Sequence, residues 1–272
     1  METDLRLALL IDAENFSSKY VKQLFDEITE DGHPSIRRVY GGWTAPQLKP
    51  WEKVLETYSI STRQECCYSF GKSSSDSAMI IDAMDILYSD TVDGFCIASS
   101  DGDFTNLARR IREAGKLILG AGENKTPKAF VNSCSRFIYV DLLDACVSPQ
   151  TKQDGETKAL ECAVAAGKAA SNEEIDEEIG PTSLDLIKAD LIRYFEGKAS
   201  QGTEKRVNLG AIGQYLRKKR PDFDCRNYKC RTLAQLVKTF GEFDIEELSN
   251  ESNPKVKAVY VMYKALDSES KG

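Results

Sequence analysis

The chain has 272 residues, 41% hydrophobic and 29% charged, with a net charge of −7 at neutral pH. That length accommodates one large domain or two modest ones, and the composition is that of soluble globular domains. No apolar run approaches the roughly 18 to 20 residues of a membrane span, and residues 1–11 lack the basic start and long apolar core of a secretory signal, so a cytoplasmic location is expected.

The charge is unevenly spread: residues 1–148 carry −6, 149–180 carry −5 and 181–272 carry +4. An acidic protein can still bind nucleic acid where metal ions and a local basic face offset the repulsion. The single histidine, His33, sits in the loop-like run Asp31-Gly32-His33-Pro34, which argues against Ser-His-Asp and Cys-His catalysis. Eight cysteines include no CxxC pair. A structural zinc site wants four soft ligands, usually in close pairs, so these read as ordinary reduced cysteines, several of them buried.

Residues 1–147 alternate strand-like and helical runs, the pattern of a parallel sheet with helices on both faces. Residues 5–11 form a near-continuous apolar run, as in a buried central strand. A helix follows over 20–30, with Val21, Leu24, Phe25 and Ile28 on one side. A second strand is expected over 35–40, a second helix over 46–58 and a third strand over 61–69. The third helix covers 76–88, with Met79, Ile80, Ala83 and Leu87 apolar. A fourth strand (94–99) leads to a fourth helix (104–114), closed by Gly115. A fifth strand spans 116–120, and 137–140 adds a short edge strand.

Residues 148–180 have no aromatic side chain and hold the run Glu173-Glu174-Ile175-Asp176-Glu177-Glu178. This composition predicts a flexible acidic linker. Pro181 opens a second folded unit over 181–268, with Leu184, Ile187, Leu191, Ile192 and Phe195 at helical spacing. The alternation Val256, Ala258, Tyr260, Met262 fits a strand of a wing.

Three segments carry the candidate chemistry. Leu10-Ile11-Asp12-Ala13-Glu14-Asn15 places Asp12 at the carboxyl end of the first strand. Lys72-Ser73-Ser74-Ser75-Asp76 opens the third helix, with Asp82 further along it. Ser99-Ser100-Asp101-Gly102-Asp103-Phe104 places Asp101 at the carboxyl end of the fourth strand. In an open α/β sheet, ligands bind outside the carboxyl ends of strands where the strand order reverses. Strands one and four flanking that reversal would bring Asp12 and Asp101 face to face. Crowded carboxylates repel unless a cation neutralises them, and Mg²⁺ and Mn²⁺ take oxygen ligands. Such an ion activates water for phosphodiester hydrolysis without a histidine. Each aspartate also has a structural alternative: Asp12 as a turn former, Asp76 and Asp103 as helix caps. Asp82 lies about 600° around the helix from Asp76, on a different face, so its role stays open between ligand and structure.

At these residues the chain resembles the NYN domain family, a branch of the PIN-like nucleases. The resemblance rests on Leu9, Ile11, Asp12 and Asn15, on Lys72, Asp76 and Asp82, and on Ser100-Asp101-Gly102-Asp103-Phe104 with Leu107, Ile111 and Gly115. It implies a Rossmann-like α/β fold and metal-dependent endoribonuclease activity. It further implies that Asp12, Asp76 and Asp101 ligate the metal, with Asp103 a fourth ligand or a water-orienting group. Asn15 would orient Asp12 or contact the scissile phosphate, and Lys72 would meet the RNA backbone. Family members often carry Gly and Val where this chain has Ser74 and Ser75.

The second unit resembles the LOTUS (OST-HTH) family of winged-helix modules. The carrying residues are Leu184 to Phe195, Val207-Asn208-Leu209, Ile212-Gly213-Gln214-Tyr215-Leu216, Arg220-Pro221-Asp222-Phe223, Tyr228 and Leu233 to Leu236. Many members have Gly after the Tyr228 position, whereas this chain has Lys229. The resemblance implies RNA binding, and in some members protein partners. Arg217, Lys218, Lys219, Arg220, Lys229 and Arg231 are the candidates for phosphate contact; the alternative is a solvated helix end whose cations complement the dipole. The two halves together predict a nuclease whose module captures RNA for the catalytic domain. PIN-like domains often dimerise, so a homodimer is also expected. The rival reading is an inactive RNA- or protein-binding adaptor.

Overall fold

The computed structural model describes residues 5–43, 48–64, 74–147, 179–199, 206–250 and 253–265. The first unit runs β1 (Arg6–Asp12), α1 (Val21–Ile28), β2 (His33–Gly41), α2 (Trp51–Tyr58), β3 (Ser61–Gln64), α3 (Ser74–Ser89), β4 (Gly94–Ala98), α4 (Thr105–Glu113), β5 (Leu117–Gly122), α5 (Lys128–Ser133), β6 (Arg136–Tyr139) and α6 (Val140–Val147). The six strands form one parallel sheet in the order β3-β2-β1-β4-β5-β6. The order therefore reverses between β1 and β4, as the sequence led us to expect.

The central strand shows why the sheet is covered on both faces. Leu7, Leu9 and Ile11 of β1 join one buried cluster with Val21, Leu24 and Ile28 of α1 and Trp51 of α2. Ala8 and Leu10, pointing the other way, join Met79 and Ala83 of α3 and Leu107, Ala108 and Ile111 of α4. Alternation along a strand sends successive side chains to opposite faces, and both faces here are apolar.

Some boundaries differ from expectation. His33 is not in a loop: it is the first residue of β2, and its N–H donates to the Leu5 carbonyl at 2.7 Å. Pro34 is tolerated because it stands near the start of its strand. The described part of the second helix begins at Trp51, and 65–69 of the expected third strand lie outside the described residues, as does 46–47. The short helices α5 and α6 were not anticipated from the sequence. Gly115 closes the helix ahead of β5 in the left-handed region, φ +77°.

The second unit comprises α7 (Leu184–Ala199), β7 (Arg206–Asn208), α8 (Leu209–Lys219), α9 (Leu233–Thr239), β8 (Phe243–Asn250) and β9 (Asn253–Tyr263). The strands form an antiparallel sheet, β7-β9-β8. Three helices and this wing enclose a separate core of Ile187, Leu191, Phe195, Ile212, Leu216, Val237 and Val261. Asn208 caps α8 by accepting from the Gly210 N–H at 2.8 Å, and Thr232 caps α9 by accepting from Gln235 N–H at 3.3 Å.

The module makes polar contacts with the first unit. The N–H of Phe137, on the edge strand β6, donates to the Pro221 carbonyl at 2.8 Å, so part of an otherwise open sheet edge is satisfied. Asp222, buried to 1% exposure, accepts from Lys128 Nζ at 2.7 Å and from the N–H and hydroxyl of Thr182. Arg226 forks onto both oxygens of Glu27 at 2.6 and 2.8 Å, and Arg136 shares that carboxylate at 2.7 Å. The Tyr139 hydroxyl donates to the Gly180 carbonyl at 3.0 Å. Of the expected linker, 148–178 lie outside the described residues. Among the described residues no helix is long and apolar enough to cross a membrane.

Candidate metal centre

The carboxyl ends of β1 and β4 meet at the strand reversal, and the candidate side chains gather there. Asp12, the last residue of β1, is 1% exposed. Its Oδ1 accepts from the backbone N–H groups of Glu14 (3.0 Å) and Asn15 (3.2 Å). Its Oδ2 accepts from Asn15 Nδ2 (2.9 Å) and the Ser99 hydroxyl (2.8 Å). Four donors on two oxygens occupy the carboxylate's in-plane acceptor sites. Asp12 is thus both the turn former that closes β1 and a hub linking β1 to the strand beside it.

Ser99 was not singled out from the sequence. Fully buried just past β4, its hydroxyl donates to Asp12 and accepts from the Asp101 N–H at 3.0 Å. Its own N–H donates to the Ala121 carbonyl at 2.9 Å. Gly122 makes room for it, since a Cβ there would stand 2.7 Å from the Ser99 carbonyl oxygen. The doubled serine after an apolar strand was the available signal.

Asp101 precedes a 3₁₀ turn, Gly102–Phe104, and caps it by accepting from the Asp103 N–H at 2.9 Å. Capping therefore falls to Asp101, leaving the exposed Asp103 carboxylate without a hydrogen-bond partner among the described residues. Asp76 lies inside the first turn of α3, where the helix dipole favours an anion. Asp76, Asp101 and Asp103 each offer an oxygen, and these three atoms lie within 4.8 Å of one another. Asp12 is outside that trio and reaches it through Asn15, whose Nδ2 is 3.5 Å from Asp101 Oδ2. Among the described residues no basic side chain is ion-paired with Asp101 or Asp103. The donor set is all oxygen and partly solvated, which suits a hard divalent cation that keeps several waters.

Asp82 takes no part in this trio. It is hydrogen-bonded to Arg38 and to the Tyr40 hydroxyl, both on β2, with Arg63 at 3.9 Å. Burial, then the hydrogen bond to Asp82, hold the Tyr40 hydroxyl well above its ordinary pKa range. Asp82 is an anchor that ties α3 to β2.

The basic residues of the second unit divide in two. Lys219 and Arg220 pair with the buried Asp190 at 2.7 and 2.8 Å. Burial raises the Asp190 pKa, but the hydrogen bonds from Lys219 and Arg220 outweigh it, and the net shift is downward. Arg217, Lys218, Lys229 and Arg231 are exposed and make no ion pair among the described residues. Arg217 and Arg231 line a cleft of about 550 Å³ between the two units, facing Arg136 and Leu117 at the amino ends of β6 and β5. Lys72 lies outside the described residues.

A doubly wound parallel sheet with an acidic cluster at its reversal point, carrying a winged-helix module, defines the class. The NYN domain profile matches residues 6–143, and the chain belongs to the NYN family, within the PIN-like nuclease superfamily. An OST-HTH/LOTUS domain, a type associated with RNA binding, matches 182–254. No curated protein matches the chain. Among solved structures, a protein of unknown function from Vibrio parahaemolyticus is similar at 18% identity and a TM-score of 0.44, over 52% of this chain and 96% of that one.

Proposed function

We propose that the chain is a divalent-metal-dependent endoribonuclease in which Asp76, Asp101 and Asp103 hold Mg²⁺ or Mn²⁺. The observation that carries this reading is the convergence of three carboxylate oxygens within 4.8 Å at the strand reversal. A bound ion would supply an activated water and stabilise charge on a phosphate oxygen. Asp12 works from one layer behind, fixing Asn15 and Ser99, while Asn15 spans Asp12 and Asp101 and presents its amide at the site's edge. The Asp101 cap holds the Asp103 backbone, and so the direction of its carboxylate. The exposed cations Arg217, Lys218, Lys229 and Arg231 supply phosphate contacts from the module; Lys219 and Arg220, tied to Asp190, set the shape of the helix end instead.

The test is cleavage of labelled single-stranded and hairpin RNAs with Mn²⁺, Mg²⁺ or EDTA, comparing the native chain with Asp101→Asn. Internal cuts that need metal and disappear in the variant are the expected result. RNA binding without products from either protein would replace this reading with that of an adaptor.

A further inference from the structure

Beside the acidic trio, on the side of the sheet covered by α1 and α2, lies a cavity of about 510 Å³. That volume falls within the range of small-molecule sites. Its floor is apolar: Phe16, Leu48 and Trp51 line it and are 3%, 7% and 2% exposed. Its rim is polar. The Ser17 and Ser18 hydroxyls have no hydrogen-bond partner among the described residues, and Ser17 makes no cap bond to the short helix it precedes. Asn15, which bonds Asp12 and reaches Asp101, also lines this cavity. Cavity and acidic trio therefore share one wall.

We infer that this cavity is a subsite for one unpaired nucleotide of the RNA strand, adjacent to the phosphate held at the carboxylates; it rests on the nuclease reading for its placement. An apolar floor that includes two aromatic side chains, with uncommitted hydroxyls at the rim, matches a nucleobase, which offers a π-face and hydrogen-bonding edges at its perimeter. The charge around the rim fixes which part of the nucleotide enters. Glu14 and Glu123 stand there, and the one cation among the described lining residues, Lys125, is 2.9 Å from Glu123 with its side chain 66% exposed. Those carboxylates repel a phosphate from the interior, while Lys125, weakly held at such exposure, is free to meet one at the mouth. The base goes in and the phosphate stays out. A paired base cannot turn into the cavity without leaving its stack, so the subsite selects single-stranded RNA.

The test reads occupancy without turnover. The chain has two tryptophans, Trp43 and Trp51, so Trp43→Phe leaves the cavity floor as sole reporter. This variant of the full chain is titrated in EDTA with adenosine, uridine, their 5′-monophosphates, ribose 5-phosphate and inorganic phosphate. The expected result is saturable quenching by the nucleosides and nucleotides, none by the two base-free probes, and at least tenfold weaker binding when Ser17→Tyr fills the cavity. No saturable quenching, equal quenching by ribose 5-phosphate, or unchanged affinity in Ser17→Tyr overturns the proposal. Should Ser17→Tyr fail to fold, photocrosslinking of 5-iodouridine 5′-monophosphate to the Trp43→Phe chain decides it. Adducts confined to residues 13–18 or 48–51 support the subsite, and adducts elsewhere alone overturn it. Loss of nuclease activity with base binding intact would sink the nuclease reading and leave the pocket standing.

Discussion

Five aspartates that look alike in the sequence occupy three different environments, the buried Asp12, the trio of Asp76, Asp101 and Asp103, and the Asp82 anchor, and those environments predict different consequences of substitution. At Asp12 the carboxylate accepts from four donors while 1% exposed. An amide in its place turns an NH₂ toward two of those donors. Hydrogen bonds to charged groups contribute about 1.5–3 kcal/mol each, so Asp12→Asn is expected to cost about 2–4 kcal/mol of unfolding free energy by urea titration. Asp103 is the opposite case. Its exposed carboxylate has no partner among the described residues and sits against two like charges. Asp103→Asn should leave stability within about 0.5 kcal/mol of the native chain while weakening Mn²⁺ binding by on the order of tenfold, since affinity follows the number of charged ligands. Calorimetric Mn²⁺ titration and urea melts of both variants check the contrast; a metal-binding loss in Asp103→Asn that tracked a stability loss would refute it. Residue identity alone did not separate these roles. The strand-end position of Asp12 was visible in the sequence, whereas the Ser99 hydroxyl that meets it across the sheet was not.

At the scale of elements, the strands and the acid-bearing turns were legible because their signals are local. The continuous burial of β1, with successive side chains sent to two apolar faces, follows directly from the apolar run 7–11, and Gly115 marks the end of the fourth helix as expected. What escaped depends on contacts distant in sequence. His33 is a strand residue because Leu5, 28 positions earlier, accepts its N–H, and nothing within Asp31-Gly32-His33-Pro34 announces this. Asp82 belongs to the same class: its partners Arg38 and Tyr40 are 44 and 42 residues away. From Asp76 to Asp82 the helix rises about 9 Å, at 1.5 Å per residue, so this anchor lies under two turns from a proposed ligand. Asp82→Leu removes the charge facing a 22%-exposed Arg38 and leaves the Tyr40 hydroxyl without its acceptor. Losing one side of such a pair costs about 1–3 kcal/mol. With α3 less firmly tied to β2, Mn²⁺ affinity should also fall several-fold although no ligand has been altered. Hydrogen exchange along α3 separates the explanations: faster exchange through residues 76–86 is expected, and unchanged exchange with unchanged metal affinity would show that Asp82 positions nothing.

For the whole molecule, polar contacts tie the two halves, and Arg226, which forks onto Glu27 of the first unit, is itself held in place by Asp224. Burial raises the Asp224 pKa, but hydrogen bonds from the Arg226 side chain and backbone overcome it, with Arg136 adding to the downward shift. A folded value below the unfolded one means the contribution is complete above the ordinary carboxylate range, near about pH 4, and is lost as the pH falls through the folded value. Exchange protection of the Phe137 N–H, which donates to Pro221, should therefore decline on acidification, and Asp224→Asn should flatten that decline. Nothing in a short segment of the sequence reveals that Glu27 and Arg226 meet across 199 residues. Seating also fixes where the free cations stand. Arg217 and Arg231 face the amino ends of β5 and β6, whereas the acidic trio lies at the carboxyl end of the sheet. β5 has six residues, so the two regions are separated by roughly 20 Å at about 3.3 Å per residue. On the proposed reading, an RNA that engages both the acidic trio and these two cations is long enough to cover that distance. Arg217→Ala with Arg231→Ala should raise KM several-fold for a 20-nucleotide RNA and reduce the salt dependence of its binding by about one to two phosphate contacts. Cleavage of a dinucleotide should be unchanged by the same pair of substitutions. If the dinucleotide loses as much as the long RNA, the cations act on the catalytic unit itself; if neither changes, the module's contribution comes from a face other than the cleft.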